Sequence, residues 1–327
     1  SFEPAGGPWP GYRQLCRTAL IPLLVQAHVG TPFQPLLRGR VDGPTPTEVR
    51  GMFSGLRRFR KGVVRNVLLH SVLERRVRAG SEAVKRDLRS SGFSTEVAKA
   101  TARNLARLVR GLEVRRRGTS AWADYRDTCS YGAADAVAKQ AFVRAALADG
   151  DHRLVLDLGA NDGEYALLAA EQADYVVAVD GDEEVVDRLY RRLRAAGRED
   201  VLPLVMDLAD PSGGLGWRNR ERAPFTARVA PDVVLALALV HHLAIGANVP
   251  LPEVVTWLRS FGGRLVVELV HRDDPMVVRL LAQKPAGLFD DYDRPAFERL
   301  LAEQFLVHRQ ETLPGGTRTL YLAEPKP

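Results

Sequence analysis

The run Asp157-Leu158-Gly159-Ala160-Asn161-Asp162-Gly163 leaves this chain little choice of architecture. Leu154-Val155-Leu156 before it suits a buried strand, and Glu164-Tyr165-Ala166 after it suits the first turn of a helix, so the glycines fall in a strand-to-helix turn. Ligands of open α/β sheets bind at such turns, outside the carboxyl ends of the strands. Glycine lets the backbone turn tightly there and approach a ligand closely. The spacing also excludes two ligand classes. A dinucleotide fold needs G-x-G-x-x-G around a pyrophosphate, and a P-loop needs Lys-Ser/Thr after its last glycine; neither is present. The opening carboxylate, Asp157, repels phosphate and suits the ammonium group of a cationic amino-acid cofactor.

From Leu154 onward strand-like and helix-like runs alternate, the pattern of a parallel α/β sheet. Strands are predicted over 154–158, 175–180, 201–206, 232–238 and 264–270, with a closing pair near 305–311 and 317–323 joined by Leu313-Pro314-Gly315-Gly316. Helices are predicted over 133–147, 163–172, 183–196, 251–260 and 291–303. The second strand ends in Asp180, an acceptor for both hydroxyls of a ribose, and the third in Asp207, where an adenine amino group would lie. Asp207 alternatively caps the segment ending at Pro211.

These residues resemble the class I S-adenosylmethionine-dependent methyltransferases, with Asp157 to Gly163 matching motif I, Asp180 motif II and Asp207 motif III. The resemblance covers about residues 135–325. It implies a seven-stranded Rossmann-like sheet with an antiparallel last strand, S-adenosyl-L-methionine as cofactor, and roles for the three acids toward its methionine, ribose and adenine parts. Gly159, Asn161 and Gly163 would complete the cofactor loop; Asn161 replaces a common glycine, and asparagine tolerates positive φ. Tyr131, the block Ala238-Leu239-Val240-His241-His242 and Gly315 to Tyr321 are similar to a bacterial subgroup mostly without assigned substrates, some members of which are associated with nodulation.

Strand four leads straight into His241 and His242, where this fold faces the methyl group to be transferred. A histidine with a pKa near neutrality is a suitable base for a hydroxyl or amine, and His242 is the preferred catalytic residue, His241 the alternative. No metal is expected. Glu268 stands inside the apolar run of strand five and needs a partner, because an unpaired buried carboxylate is costly. Glu268, His271 and Asn248 are assigned to the wall of the acceptor pocket.

Residues 1–130 read as an all-helical domain and 131–327 as the cofactor-binding domain. Thr45-Pro46-Thr47-Glu48 is a capping box with proline at the first helical position, followed by Phe53, Leu56 and Phe59 at helical intervals. Further helices are predicted from Val63 to Val77 and from Ser94 to the Arg115-Arg116-Arg117 run, with Val97, Leu105, Leu108 and Leu112 as an apolar stripe. Residues 1–130 carry 24 Lys and Arg against 10 Asp and Glu, the remainder 22 against 30. An Arg-rich half of this kind either lies on solvated helix faces or attracts an acidic ligand. Two cysteines, Cys16 and Cys129, build no disulfide framework, and no apolar stretch reaches the length of a membrane span. A cytoplasmic protein is expected, with no membrane partner.

The expected activity is methyl transfer from S-adenosylmethionine to a small-molecule acceptor, on oxygen, in secondary metabolism, with the helical half as substrate lid or homodimer contact. Nucleic acid is not the expected partner, since no Asn-Pro-Pro-Tyr-like sequence ends strand four. The rival readings are methylation of RNA or protein through Arg57-Arg58-Phe59-Arg60-Lys61, and a non-catalytic cofactor-binding module.

Overall fold

The computed structural model describes residues 11–78, 95–114 and 132–327. Tyr131, Cys129, Ser94, Arg115-Arg116-Arg117 and the expected domain boundary near residue 130 lie outside the described residues. The chain divides into two compact units, residues 1–118 with 213–222, and residues 119–212 with 223–327.

In the first unit the helices include α1 (Ile21–Val29), α2 (His70–Arg78) and α3 (Thr95–Arg110). Leu20, Leu24, Val25, Phe53, Val63, Val67 and Leu108 form its core. The Thr45 capping box is present in both directions, yet the helix it starts lasts only from Pro46 to Val49. Two short 3₁₀ turns replace the expected continuation. Phe53 leaves helical geometry with ψ 69° and Gly55 has φ +55°, a left-handed value that ends any right-handed helix. Only Phe53 of the expected stripe is therefore buried. Of the stripe on α3, Leu108 is buried, Leu105 and Leu112 pack partly against the core, and Val97 is exposed. The excursion 213–222 is tied into this unit by Arg222, whose Nη1 donates to the Leu37 carbonyl at 3.2 Å.

The second unit is a seven-stranded sheet of order β3-β2-β1-β4-β5-β7-β6. The strands are β1 (His152–Leu158), β2 (Ala173–Asp180), β3 (Val201–Val205), β4 (Val233–Ala236), β5 (Arg264–Val270), β6 (Phe305–Thr312) and β7 (Arg318–Pro325). β1 to β5 pair in parallel, and β7 runs antiparallel to both β5 and β6. The longer helices of this unit are α4 (Ala133–Leu147), α5 (Glu164–Ala169), α6 (Glu183–Ala195), α7 (Leu251–Arg259), α8 (Pro275–Leu281) and α9 (Arg294–Gln304). Alternate strand residues point to opposite faces. Leu156, Val234, Leu265 and Val267 pack with α7 and α9 on one face; Val155, Val176, Leu235 and Val266 pack with α4, α5 and α6 on the other. Parallel strands buried on both faces read as continuous apolar runs, which is why they were visible in the sequence. Strand β4 stops earlier than expected because Ala238 takes φ +51°, outside any strand geometry.

Candidate active site

A cavity of about 560 Å³ opens at the carboxyl ends of β1, β2, β3 and β4. Gly159, Asn161, Asp180, Asp207 and His242, five of the residues singled out in the sequence, line it together with Gly181, Asp182, Leu208, Ala238, Leu239 and Leu243. Among the described residues three carboxylates and no Lys or Arg face this space. It therefore suits a ligand with hydroxyl or cationic groups and an apolar body, and opposes a pyrophosphate.

Each acid is held by the backbone. Asp180 Oδ2 accepts from the Asn161 amide and Oδ1 from the Asp182 amide, both at 2.8 Å, which joins the β1 loop to the β2 end and leaves lone pairs toward the cavity. Burial raises the Asp180 pKa above the usual carboxylate range against those amide bonds. Asp207 Oδ1 accepts from the Ala209 amide at 2.9 Å, so this residue both braces its turn and faces the cavity. Asp182 caps α6 through the Glu184 amide. Sequence reasoning passed over Asp182, although an aspartate directly before Glu183-Glu184 at a helix start was its signal.

Asn161 has φ +48° and Gly159 φ +79°, the left-handed turn that the motif requires. Gly163, also at φ +82°, does not line the cavity: a Cβ there would stand 2.5 Å from Leu189 Cδ1, so its glycine serves the packing of α5 on α6. Asp157, at the start of the loop, is 2% exposed, and its Oδ2 has no hydrogen-bond partner among the described residues. Burial, then the charge of Asp180, raise its carboxyl to about 7, against the lowering effects of Lys139 and the Ala166 amide.

The partner that Glu268 requires comes from two elements distant in sequence. Lys139 Nζ of α4 lies 2.6 Å from Glu268 Oε2, and Arg318 Nη1 of β7 lies 3.3 Å from Oε1. Arg318 Nε also donates to Asp274 at 2.9 Å, so four charged side chains are buried in one chain of contacts. Burial raises the Glu268 carboxyl, and Lys139 and Arg318 outweigh it to hold the pKa below normal. Glu268 is 0% exposed and, with His271 and Asn248, stands outside the lining of the cavity. His271 Nε2 is bonded with Thr319 Oγ1 at 2.9 Å, and Asn248 Oδ1 accepts from Lys284 at 2.7 Å.

His241 and His242 lie with ring centroids 4.0 Å apart. His241 is fully buried, and among the described residues neither ring nitrogen has a hydrogen-bond partner. His242 lines the cavity. Burial, then the positive charge of Arg318, lower its pKa to about 4. The expectation of a histidine titrating near neutrality is corrected by this environment: His242 is a neutral imidazole throughout the physiological range.

A sheet of this order, with its antiparallel strand inserted between β5 and β6 and an acid-lined cavity over the strand ends, is the fold of the class I S-adenosylmethionine-dependent methyltransferases. In sequence it is 30% identical over 317 residues to nodulation protein NoeA of Rhizobium meliloti (strain 1021), covering 97% of this chain. The chain spans 66% of that protein's length. No family model matches the chain. Similar solved structures include N-methyltransferase NodS from Bradyrhizobium japonicum WM9 in complex with S-adenosyl-L-homocysteine, at 13% identity over 59% of this chain and 88% of that one, TM-score 0.44. Another is the 1,6-didemethyltoxoflavin-N1-methyltransferase of Burkholderia thailandensis, at 18% identity over 63% of this chain and 84% of that one, TM-score 0.43.

Proposed function

We propose that this chain is an S-adenosylmethionine-dependent methyltransferase acting on a small-molecule acceptor, on oxygen. The observation that carries this reading is the composition of the cavity: among the described residues, three carboxylates, no Lys or Arg, and leucine walls at the strand ends of this fold. S-adenosylmethionine has hydroxyls for Asp180, an adenine for the space beside Asp207 and Leu208, and an ammonium group whose charge would favour the ionised form of Asp157, buried behind the lining with Oδ2 unpartnered among the described residues. Bound there, it supplies an already activated methyl group.

The chain's own residues then have modest tasks. Methyl transfer is an in-line displacement, so alignment and exclusion of water contribute most. His242, neutral and at the cavity wall, would accept a hydrogen bond from the acceptor hydroxyl and take its proton as the oxygen bonds to the methyl carbon and the sulfur–carbon bond breaks, so that no oxonium is left on the product. The buried chain Lys139, Glu268, Arg318 and Asp274 fixes α4, β5, β7 and α8 around this end of the sheet. The likeness to a nodulation protein along nearly all of this chain supports an acceptor from secondary metabolism.

Incubation with methyl-labelled S-adenosylmethionine and fractionated bacterial extract tests the reading. Label is expected in a low-mass fraction resistant to protease and ribonuclease. Label in RNA or protein alone would overturn the small-acceptor assignment, and no transfer in any fraction, with the cofactor bound, would leave a non-catalytic module.

A further inference from the structure

The helical unit carries a surface that the proposed chemistry does not use. Between Glu48 and Glu74 the sequence has no carboxylate and six cations, Arg50, Arg57, Arg58, Arg60, Lys61 and Arg65. Among the described residues none of the six is in an ion pair. In their midst Gly55–Phe59 forms a 3₁₀ turn, closed by Arg58 Nε donating to the Gly55 carbonyl at 3.1 Å. Such a helix has three residues per turn, so positions i and i+3 stand one above the other. Leu56 and Phe59 therefore project from the same side, and they are 85% and 72% exposed.

The turn is not a loose loop. Phe53 and Val63, just outside it on either side, are buried in the core of the unit. Gly62, at φ +85°, sits so closely against Leu108 and Leu24 that a Cβ would meet their methyl groups at 2.8 and 3.1 Å. The two large apolar side chains are thus held out into solvent on a fixed base, ringed by cations without counter-charges.

We propose that this turn docks the helical unit on an anionic lipid surface, with Leu56 and Phe59 entering the boundary between headgroups and acyl chains and Arg57, Arg58, Arg60 and Lys61 facing the phosphates. The unneutralised cations call for an anionic partner and the apolar pair for a nonpolar one, and a lipid interface offers both within one plane. Single-stranded nucleic acid satisfies the charge but binds through base stacking on aromatic side chains, which gives the most exposed residue, the aliphatic Leu56, no partner. A surface contact of this kind needs no spanning helix, and no described helix is long and apolar enough to span.

The test is co-sedimentation of the full chain with phosphatidylcholine vesicles, either pure or with about a third phosphatidylglycerol. Binding is expected to the anionic vesicles only, falling as salt is raised. Leu56→Ser/Phe59→Ser and Arg58→Gln/Arg60→Gln/Lys61→Gln should each weaken it at least about tenfold, with the melting temperature of the parent retained because these side chains are exposed. Failure to bind anionic vesicles overturns the proposal, as does full binding by the Leu56→Ser/Phe59→Ser variant. It is equally overturned if the parent ignores vesicles and is instead a dimer that this variant dissociates, or binds single-stranded RNA that the charge variant releases.

Discussion

His242 faces the cavity as a neutral imidazole because burial and Arg318 hold its pKa at about 4. His242 should therefore add no acid limb to the activity of the parent as pH falls through about 6.5, the ordinary value for histidine, and its own limb should come only toward pH 4. A pH–rate profile with an acid limb near 6.5 that persists in Asp157→Asn would contradict this environment. His242→Ala should leave affinity for S-adenosylhomocysteine unchanged and lower turnover by about 10²–10⁴-fold; unchanged turnover would reduce His242 to packing. Gly163 makes a second residue-level case. Alanine there must adopt φ +82° with its Cβ against Leu189, so Gly163→Ala should lower the thermal midpoint by an amount equivalent to about 1–3 kcal/mol. Gly159→Ala has only Leu239 at 3.5 Å and should mainly weaken cofactor binding, read by melting and titration side by side. Asp180 and Asp207 were legible in the sequence because a parallel strand ends abruptly and its last polar residue must lie at the ligand edge. Glu268 was legible only as an anomaly, since nothing local tells that Lys139 and Arg318 lie against it.

At the scale of elements, the buried charges link α4 to β5 and β7, and β7 to the start of α8. Removing one member leaves an uncompensated charge in the interior. Lys139→Met should cost about 3–5 kcal/mol of stability by chemical denaturation, and adding Glu268→Leu should restore part of it; additive losses would deny the pairing. Asp157 at the end of β1 makes a pH-dependent contribution. Its folded pKa, about 7, lies above the ordinary carboxylate value, so the folded chain binds a proton that the unfolded chain has released. That contribution is present at low pH and is lost as pH rises from about 4 to about 7. Asp157→Asn should consequently gain stability over the parent between pH 5 and pH 8, by about 3 kcal/mol at most. A constant difference across that range would show that Asp157 is ionised throughout. The helix expected beyond Val49 shows the limit of periodicity: Phe53, Leu56 and Phe59 have helical spacing, but Gly55 breaks the backbone and turns two of the three into solvent.

For the whole molecule, the seven strands and their boundaries were readable within a few residues: β1, β2, β4 and β5 are short apolar runs buried on both faces, whereas β6, exposed along most of its length, was readable through the Leu313-Pro314-Gly315-Gly316 turn that pairs it with β7. The excursion 213–222 was not, since its place with the helical unit depends on contacts such as Arg222 with Leu37 that no local pattern encodes. The central claim is that the acid-lined cavity at the strand ends binds S-adenosylmethionine through Asp180. Calorimetric titration of the parent chain and of Asp180→Ala with S-adenosylhomocysteine tests it most directly. One site per chain is predicted for the parent, weakened by about 2–4 kcal/mol in the variant as charge-assisted hydrogen bonds are lost. A parent that does not bind, or a variant that binds as tightly, would contradict the account.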